Sequence, residues 1–298
     1  MARSTIGTDP EFFLTKGDKL VSAIGIIPGT KENPHTLPSG SGLQTDNVAL
    51  EFSSRVAKDG NELVVSLSET FKEIMKYIPE GHTIQAIPSA RFSEDQLDNE
   101  EAQRFGCSPD FNAWTLEVNP VPCHEDPTFR SCGGHIHVGH VEGDGNEFLK
   151  DPYGKVEMVK IMDTLHGIIS TVLDSSPQAN ERRKLYGKAG CHRPTDYGLE
   201  YRVLSNFWMK SPQLVMLMDS LTQDALRLIR EHKAGDIIEQ IGEETIQNII
   251  DEGRVEEATH IIEKYLLSEM SEDSIYYFNE CSNKVSTYEL QKEWALEA

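Results

Sequence analysis

The stretch "SCGGHIHVGH", Ser131–His140, gathers His135, His137 and His140 into six positions of a chain with ten histidines in all. On a strand the side chains alternate between faces, so His135 and His137 share one face while Ile136 and Val138 take the other. Gly133 and Gly134, just ahead, allow a backbone or ligand to approach closely. Two imidazoles on one face, flanked by glycines, point to a metal or phosphate site. Two satisfied surface histidines are the plainer alternative.

Acids recur at comparable positions. "GTDPEFF" sets Asp9 and Glu11 two residues apart, on one face of a strand. "DNVALEF" places Glu51 among Val48, Ala49, Leu50 and Phe52, and "WTLEVNP" places Glu117 in a similar run. A carboxylate in such surroundings is costly to bury unless it is paired or metal-bound. "LEYRV" gives Glu200 and Arg202 a common face, which by itself reads as a strand ion pair. Upstream, Arg182, Arg183, Lys184, Lys188, His192 and Arg193 form a local basic cluster. Arginine presents a two-pronged fork to phosphate oxygens. Several carboxylates with a histidine suit Mg²⁺ or Mn²⁺, and neighbouring arginines suit a polyphosphate, which together equip a phosphoryl-transfer site. Neither a P-loop nor a kinase motif set is present.

The elements needed to position these residues follow from periodicity. Strands are expected at "STIGTDPEFFL", "NVALEFSS", "HTIQAIP", "AWTLEVNP", "GGHIHVGH" and around "LEYRV". Residues 28–46, rich in Gly, Pro, Ser and Thr, read as a mobile loop and a candidate lid. "NELVVSLSETFKEIMKYI" has helical spacing through Leu63, Leu67, Phe71 and Ile74. "GKVEMVKIMDTLHGIISTVLD" and "SPQLVMLMDSLTQDALRLIREHK" read as long amphipathic helices, the second capped by Ser211 with Pro212 at its first position. From about 236 the chain is acidic and helical. Strands and helices do not alternate as βαβ units, so an antiparallel α+β domain is expected over residues 1–235, with an acidic helical extension over 236–298 packed on it.

Composition narrows the partners. The 298 residues include 49 acids against 28 bases, a net charge of −21. Long nucleic acid needs clustered positive charge and is disfavoured. No apolar run approaches a membrane span. The start of the chain lacks a signal-peptide core, so a cytoplasmic protein is expected. Five cysteines, Cys107, Cys123, Cys132, Cys191 and Cys281, without a CxxC pair, fit a reducing compartment.

The order of "GTDPEFFL", "IIPGTK", "DNVALEF", "GGHIHVG" and "LEYRVLSNFW" resembles the glutamine synthetase and glutamate–cysteine ligase superfamily, most closely its phage-encoded type 2 carboxylate–amine ligases. The resemblance spans roughly residues 5–210. It implies a glutamine synthetase-like curved antiparallel sheet flanked by helices and open at both ends. It also implies ATP and two or more Mg²⁺ or Mn²⁺ ions as cofactors. By the resemblance, Asp9, Glu11, Glu51, His135 and Glu200 would be metal ligands. Arg202 would contact phosphate, with Arg182, Arg183 and Arg193 as looser phosphate-binding matches. Glu51 and Arg202 would take part in catalysis, while His137 and Glu117 would face substrate. The activity implied is ATP-dependent amide formation between a carboxylate and a primary amine through an acyl phosphate. Asp9 departs from the family's usual glutamate, and ammonia-site motifs are not recognisable, which favours an amine on a larger molecule. A homo-oligomer is compatible with the family.

Three alternatives stand beside it. An HxH strand also opens metal-dependent amidohydrolase barrels, although there it is followed by repeated βα units. A structural zinc could use Cys123, His124, Cys132, Cys191 and His192, with spacings unlike those of zinc fingers. A phage protein could keep the fold without turnover.

Overall fold

The computed structural model describes residues 4–103, 110–122 and 125–296. Cys107, Cys123 and His124 of the sequence expectations lie outside the described residues. The strands form two main sheets. One runs β1 (Thr5–Thr8), β11 (Ile136–Gly139), β13 (Gly198–Tyr201), β12 (Cys191–Pro194), β9 (Phe111–Asn112) in spatial order. The other runs β3 (Lys19–Val21), β2 (Glu11–Lys16), β6 (Ala49–Ser53), β5 (Gly42–Asp46), β4 (His35–Thr36), with β7 (His82–Gln85) also paired to β2. A short ribbon joins β8 (Ser89–Arg91) to β10 (Phe129–Ser131). Every strand pair among the described residues is antiparallel. Antiparallel pairing throughout matches the α+β expectation and is unlike a βα barrel.

Sheet to sheet, the chain crosses at Asp9–Pro10, between the end of β1 and the start of β2. In β11 the alternation holds: Ile136 and Val138 are fully buried in the core, and His137 turns the other way. In β2, Phe12 and Leu14 are buried among Phe52 and Phe71, with Phe12 stacked on Phe52 at 5.8 Å between ring centroids.

The segment expected to be a mobile loop is instead partly strand. Gly42–Asp46 alternates half-buried and buried residues, with Leu43 and Thr45 inward, and it pairs along its whole length with β6. Asn47, with φ 55°, makes the tight turn. The expected strand over "AWTLEVNP" is also replaced by a turn. Asn112 Oδ1 accepts from the backbone N–H groups of Trp114 (2.7 Å) and Thr115 (3.2 Å), and Leu116 takes a left-handed φ of 60°. That local asparagine turn competes successfully with the β-forming side chains. Glu117 lies exposed on it.

The helices are α1 (Gly60–Ile74), α2 (Pro152–Met162), α3 (Ile168–Leu173), α4 (Pro177–Arg183), α5 (Pro212–Arg230), α6 (Ala234–Ile241), α7 (Glu243–Glu252), α8 (Val255–Ile261), α9 (Glu272–Ser282) and α10 (Leu290–Glu293). Ser211 caps α5 as the sequence predicts, accepting from Leu214 N at 3.2 Å, with Pro212 at the first turn. A wide π-type turn, Asp163–Gly167, joins α2 to α3. There the buried Asp163 carboxylate accepts from Tyr201 Oη (2.7 Å), Trp114 Nε1 (2.6 Å) and Gly190 N (2.6 Å). Those bonds pin the end of β13 to the helical layer. Helices from α6 onward share one core with α3 and α5, and Trp294 Nε1 donates to the Met209 carbonyl at 2.7 Å. No helix among the described residues is long and apolar enough to cross a membrane.

Candidate functional site

Register sets the site. In the first sheet Gly7 faces His137, His137 faces Glu200, and Glu200 faces Arg193, so these residues form a row across β1, β11, β13 and β12. In the second sheet Glu11 faces Glu51 and Glu51 faces Gln44, a row across β2, β6 and β5. Asp9 and Glu11 flank the crossing residue Pro10: Glu11 ends the second row, and Asp9 lies two residues beyond Gly7, where the first row ends.

The first cluster joins Asp9, His137 and Glu200, whose ligand atoms lie within 4.8 Å of one another. His135 reaches the same carboxylates: its Nδ1 is 3.0 Å from Asp9 Oδ1 and 3.3 Å from Glu200 Oε1. His137 Nε2 is 3.2 Å from Asp9 Oδ1, an ion-pair distance, and is shielded from solvent. Burial works against a charge on Asp9, but the facing imidazoles of His135 and His137 outweigh it and hold the carboxyl well below the usual range. Burial, with the Arg202 charge behind it, lowers His135. His137 is raised, because Asp9 more than offsets its burial. Glu200 is almost fully buried between two guanidinium groups, with Arg193 Nη1 at 2.8 Å and Arg202 Nη1 in contact.

The second cluster joins Glu11, Asp46 and Glu51, again within 4.8 Å. Like charges directly opposite across an antiparallel pair repel. Burial and the Asp46 charge push Glu11 up to about 7, even though Gly133 N–H donates to its Oε2 at 2.6 Å. Burial and the charges of Glu11, Asp9 and Asp46 raise Glu51 well above its ordinary value, against a 2.7 Å hydrogen bond from Gln44 Nε2. Lys31 Nζ, half-exposed, pairs with Asp46 at 2.8 Å.

Two glycines make room for this arrangement. A Cβ at Gly133 would lie 2.6 Å from His135 Nε2, and one at Gly134 would lie 2.7 Å from the Ser205 carbonyl and 2.8 Å from Trp208 Nε1. Beyond His135 and Arg202 a cavity of about 300 Å³ opens, walled by Val121, Leu185, Tyr186, Lys184, Lys188 and Asp110 among others.

The structure thus brings together Asp9, Glu11, Glu51, His135, His137, Glu200, Arg193 and Arg202. Arg182 and Arg183 are engaged differently. Both are buried: Arg182 donates to the carbonyls of Val203 (2.9 Å) and Leu204 (3.0 Å), and Arg183 to the carbonyl of Asp174 (2.9 Å) and to Asn180 Oδ1 (3.1 Å). Arg182 thus clamps the main chain that follows β13, and Arg183 the end of α3. Arg182 does reach the wall of the cavity. Glu117 stands exposed on its turn, outside both clusters. Cys132 and Cys191 are buried free thiols that burial pushes up, Cys191 beyond the usual range, and neither joins His192 in a cation cluster among the described residues. Asp46 and Tyr197 were not singled out from sequence. Asp46 sits two residues beyond Gln44, on the face of β5 that looks at Glu51, so alternation through "GLQTD" carries its signal.

A donor set of carboxylate oxygens and a solvent-shielded imidazole nitrogen fits a Mg²⁺ or Mn²⁺ ion at the first cluster. Three facing carboxylates, two of them raised by mutual repulsion and burial, fit a cation at the second.

Residues 127–234 match the family model of phage phiEco32-like COOH.NH2 ligase-type 2. The matched stretch holds His135, His137, Arg182, Arg183, Arg193, Glu200 and Arg202, and the acids of β2, β5 and β6 lie ahead of it. Among solved structures, the chain is similar to a bifunctional glutathione synthetase from Pasteurella multocida, with a TM-score of 0.50 and 13% identity over 99% of this chain and 48% of that one. The chain therefore spans about half the length of that protein, and the likeness is one of fold. No curated protein matches the chain.

Proposed function

We propose that the chain is an ATP-dependent carboxylate–amine ligase with a glutamine synthetase-like site, its helices past 235 packed on the ligase unit. One observation carries this reading: two acid-lined clusters able to hold a cation are joined through Asp9–Pro10–Glu11, and Arg193 and Arg202 stand beside the first of them. The matched ligase family agrees with it. Asp9, Glu200 and an imidazole would hold one Mg²⁺ or Mn²⁺, and Glu11, Asp46 and Glu51 another. When bound, these ions supply charge neutralisation to the β and γ phosphates of ATP.

Arg202 and Arg193 provide fixed positive charge at the Glu200 end of the row, where the transferred phosphoryl group would lie. The substrate carboxylate oxygen attacks the γ-phosphorus, and the bond from that phosphorus to the ADP oxygen breaks. The amine nitrogen then attacks the carbonyl carbon of the acyl phosphate, phosphate leaves, and the amine proton passes to a base. Glu11 and Glu51 are carboxylates of the adjoining cluster, Glu11 one residue past Pro10 and Glu51 across from it.

The test is ADP release from ATP with Mg²⁺, with and without candidate carboxylates and primary amines. ADP formation that requires both substrates and yields an amide is expected. Amide hydrolysis that proceeds without nucleotide would overturn the proposal in favour of a hydrolase. Mg²⁺ and ATP binding with no turnover on any pair would leave a ligand-binding protein.

A further inference from the structure

Resting on the cation site proposed above, we propose that His137 is a direct ligand, through Nε2, of the ion held by Asp9 and Glu200, and that Tyr197 is the residue that positions it. The resemblance assigned the ligand role to His135, two residues earlier in sequence. The geometry distinguishes the two imidazoles. His135 Nδ1 is already engaged, 3.0 Å from Asp9, 3.3 Å from Glu200 and 3.5 Å from Arg202 Nη1, and its Nε2 packs against Gly133. His137 Nε2, by contrast, is closed off from water and lies 3.2 Å from Asp9 Oδ1, on the carboxylate side of the ring. His135 thereby braces the carboxylates from one side while His137 presents a nitrogen to the space between them.

A ligating histidine needs its second ring nitrogen fixed, because that hydrogen bond sets which nitrogen is free to bind the ion. Tyr197 supplies it. Its hydroxyl is 2.5 Å from His137 Nδ1, with the two rings tilted by 34° and their centroids 6.1 Å apart. The hydroxyl can accept as well as donate. When it accepts from Nδ1–H, the lone pair of Nε2 points toward Asp9 and Glu200. The tyrosine is itself held by main chain. Its carbonyl accepts from His140 N at 2.7 Å, which ties the β12–β13 hairpin tip to the end of β11, and the tip is closed by the Thr195 N to Gly198 carbonyl bond at 3.0 Å. Tyr197 itself is 47% exposed. A tyrosine placed for packing alone would have no reason to put its hydroxyl on this nitrogen.

Two measurements on the full-length chain test this. The first is Mn²⁺ binding, read by electron paramagnetic resonance of the free ion. Wild type is expected to show two classes of site. Tyr197→Phe, which keeps the ring, is expected to weaken one class by about 10- to 100-fold and leave the other unchanged. Glu51→Gln is expected to do the reverse. The second is histidine ¹⁵N NMR of the Mg²⁺-loaded chain, in which His137 carries its proton on Nδ1 in wild type and loses that preference in Tyr197→Phe. A merely structural role for Tyr197 would not move the tautomer. Wild-type affinity at both sites in Tyr197→Phe, with an unchanged His137 spectrum, overturns this inference and leaves the two-ion reading standing. Absence of Mn²⁺ binding by wild type overturns both.

Discussion

Glu11→Gln isolates the electrostatic tension in the second cluster. The Glu11 carboxyl is pushed from its ordinary 4.5 to about 7 by burial and by Asp46. An acid raised on folding keeps its proton longer in the folded chain than in the unfolded one. Its stability contribution is therefore full below about 4.5, declines as pH rises toward 7, and stays low above that. At about 1.4 kcal/mol per pKa unit, the penalty at pH 8 is roughly 3 kcal/mol, shared among the three facing carboxylates. Glutamine keeps an oxygen for the Gly133 N–H and removes the charge. In metal-free buffer the variant is expected to be more stable than wild type at pH 8, by up to about 3 kcal/mol, and to lose that advantage at pH 4.5. Urea denaturation at the two pH values measures it. Adding Mn²⁺ should stabilise wild type at pH 8 and the variant much less, since the ion performs the neutralisation that the substitution performs by chemistry. Equal destabilisation at both pH values, with equal Mn²⁺ effects on both proteins, would refute the idea that the facing carboxylates repel one another and share a cation.

Other outcomes follow from the same geometry. Glu200→Ala or His135→Ala is expected to abolish nucleotide turnover with an unchanged far-ultraviolet circular dichroism spectrum, and full activity in either variant would count against the assignment. Arg202→Lys keeps the charge but loses the planar fork beside Glu200, so kcat/KM for ATP should fall by about 10-fold or more. Gly133→Ala would drive a methyl group to 2.6 Å from His135 Nε2, and steady-state assays should show lost turnover in a chain that still folds. Asp163→Asn replaces one of the two accepting oxygens, Oδ1 serving Tyr201 or Oδ2 serving Trp114 and Gly190, with an N–H₂ and should cost about 1–3 kcal/mol in urea denaturation.

Much of the site was legible because strands make spacing into geometry. Asp9 and Glu11, His135 and His137, and Glu200 and Arg202 each lie two residues apart, and strand alternation turns that spacing into shared faces. Which strands pair, and in what register, is not a local property. That Glu11 faces Glu51, and that His137 faces Glu200, is decided by long-range packing such as Phe12 on Phe52. Asp46 escaped notice because Gly, Pro and Ser upstream suggested a loop, although buried Leu43 and Thr45 in "GLQTD" carry a strand alternation. Glu117 misled for the opposite reason: Trp, Leu and Val around it favour a strand, but Asn112 folds the segment back on itself. Arg182 and Arg183 show that a basic run identifies available charge without saying whether main-chain carbonyls will consume it.

The passage of the chain from one sheet to the other through a single proline has a mechanical corollary. Proline fixes its own φ, and the residues on either side are separated by two virtual bonds of about 3.8 Å each. Asp9 belongs to one cluster and Glu11 to the other. Any rocking of the two sheets against each other must therefore bend this short tether and alter the gap between the clusters. Sheet motion and the gap between the two carboxylate clusters become one coordinate, so a ligand that draws the clusters together would also swing the sheets toward each other.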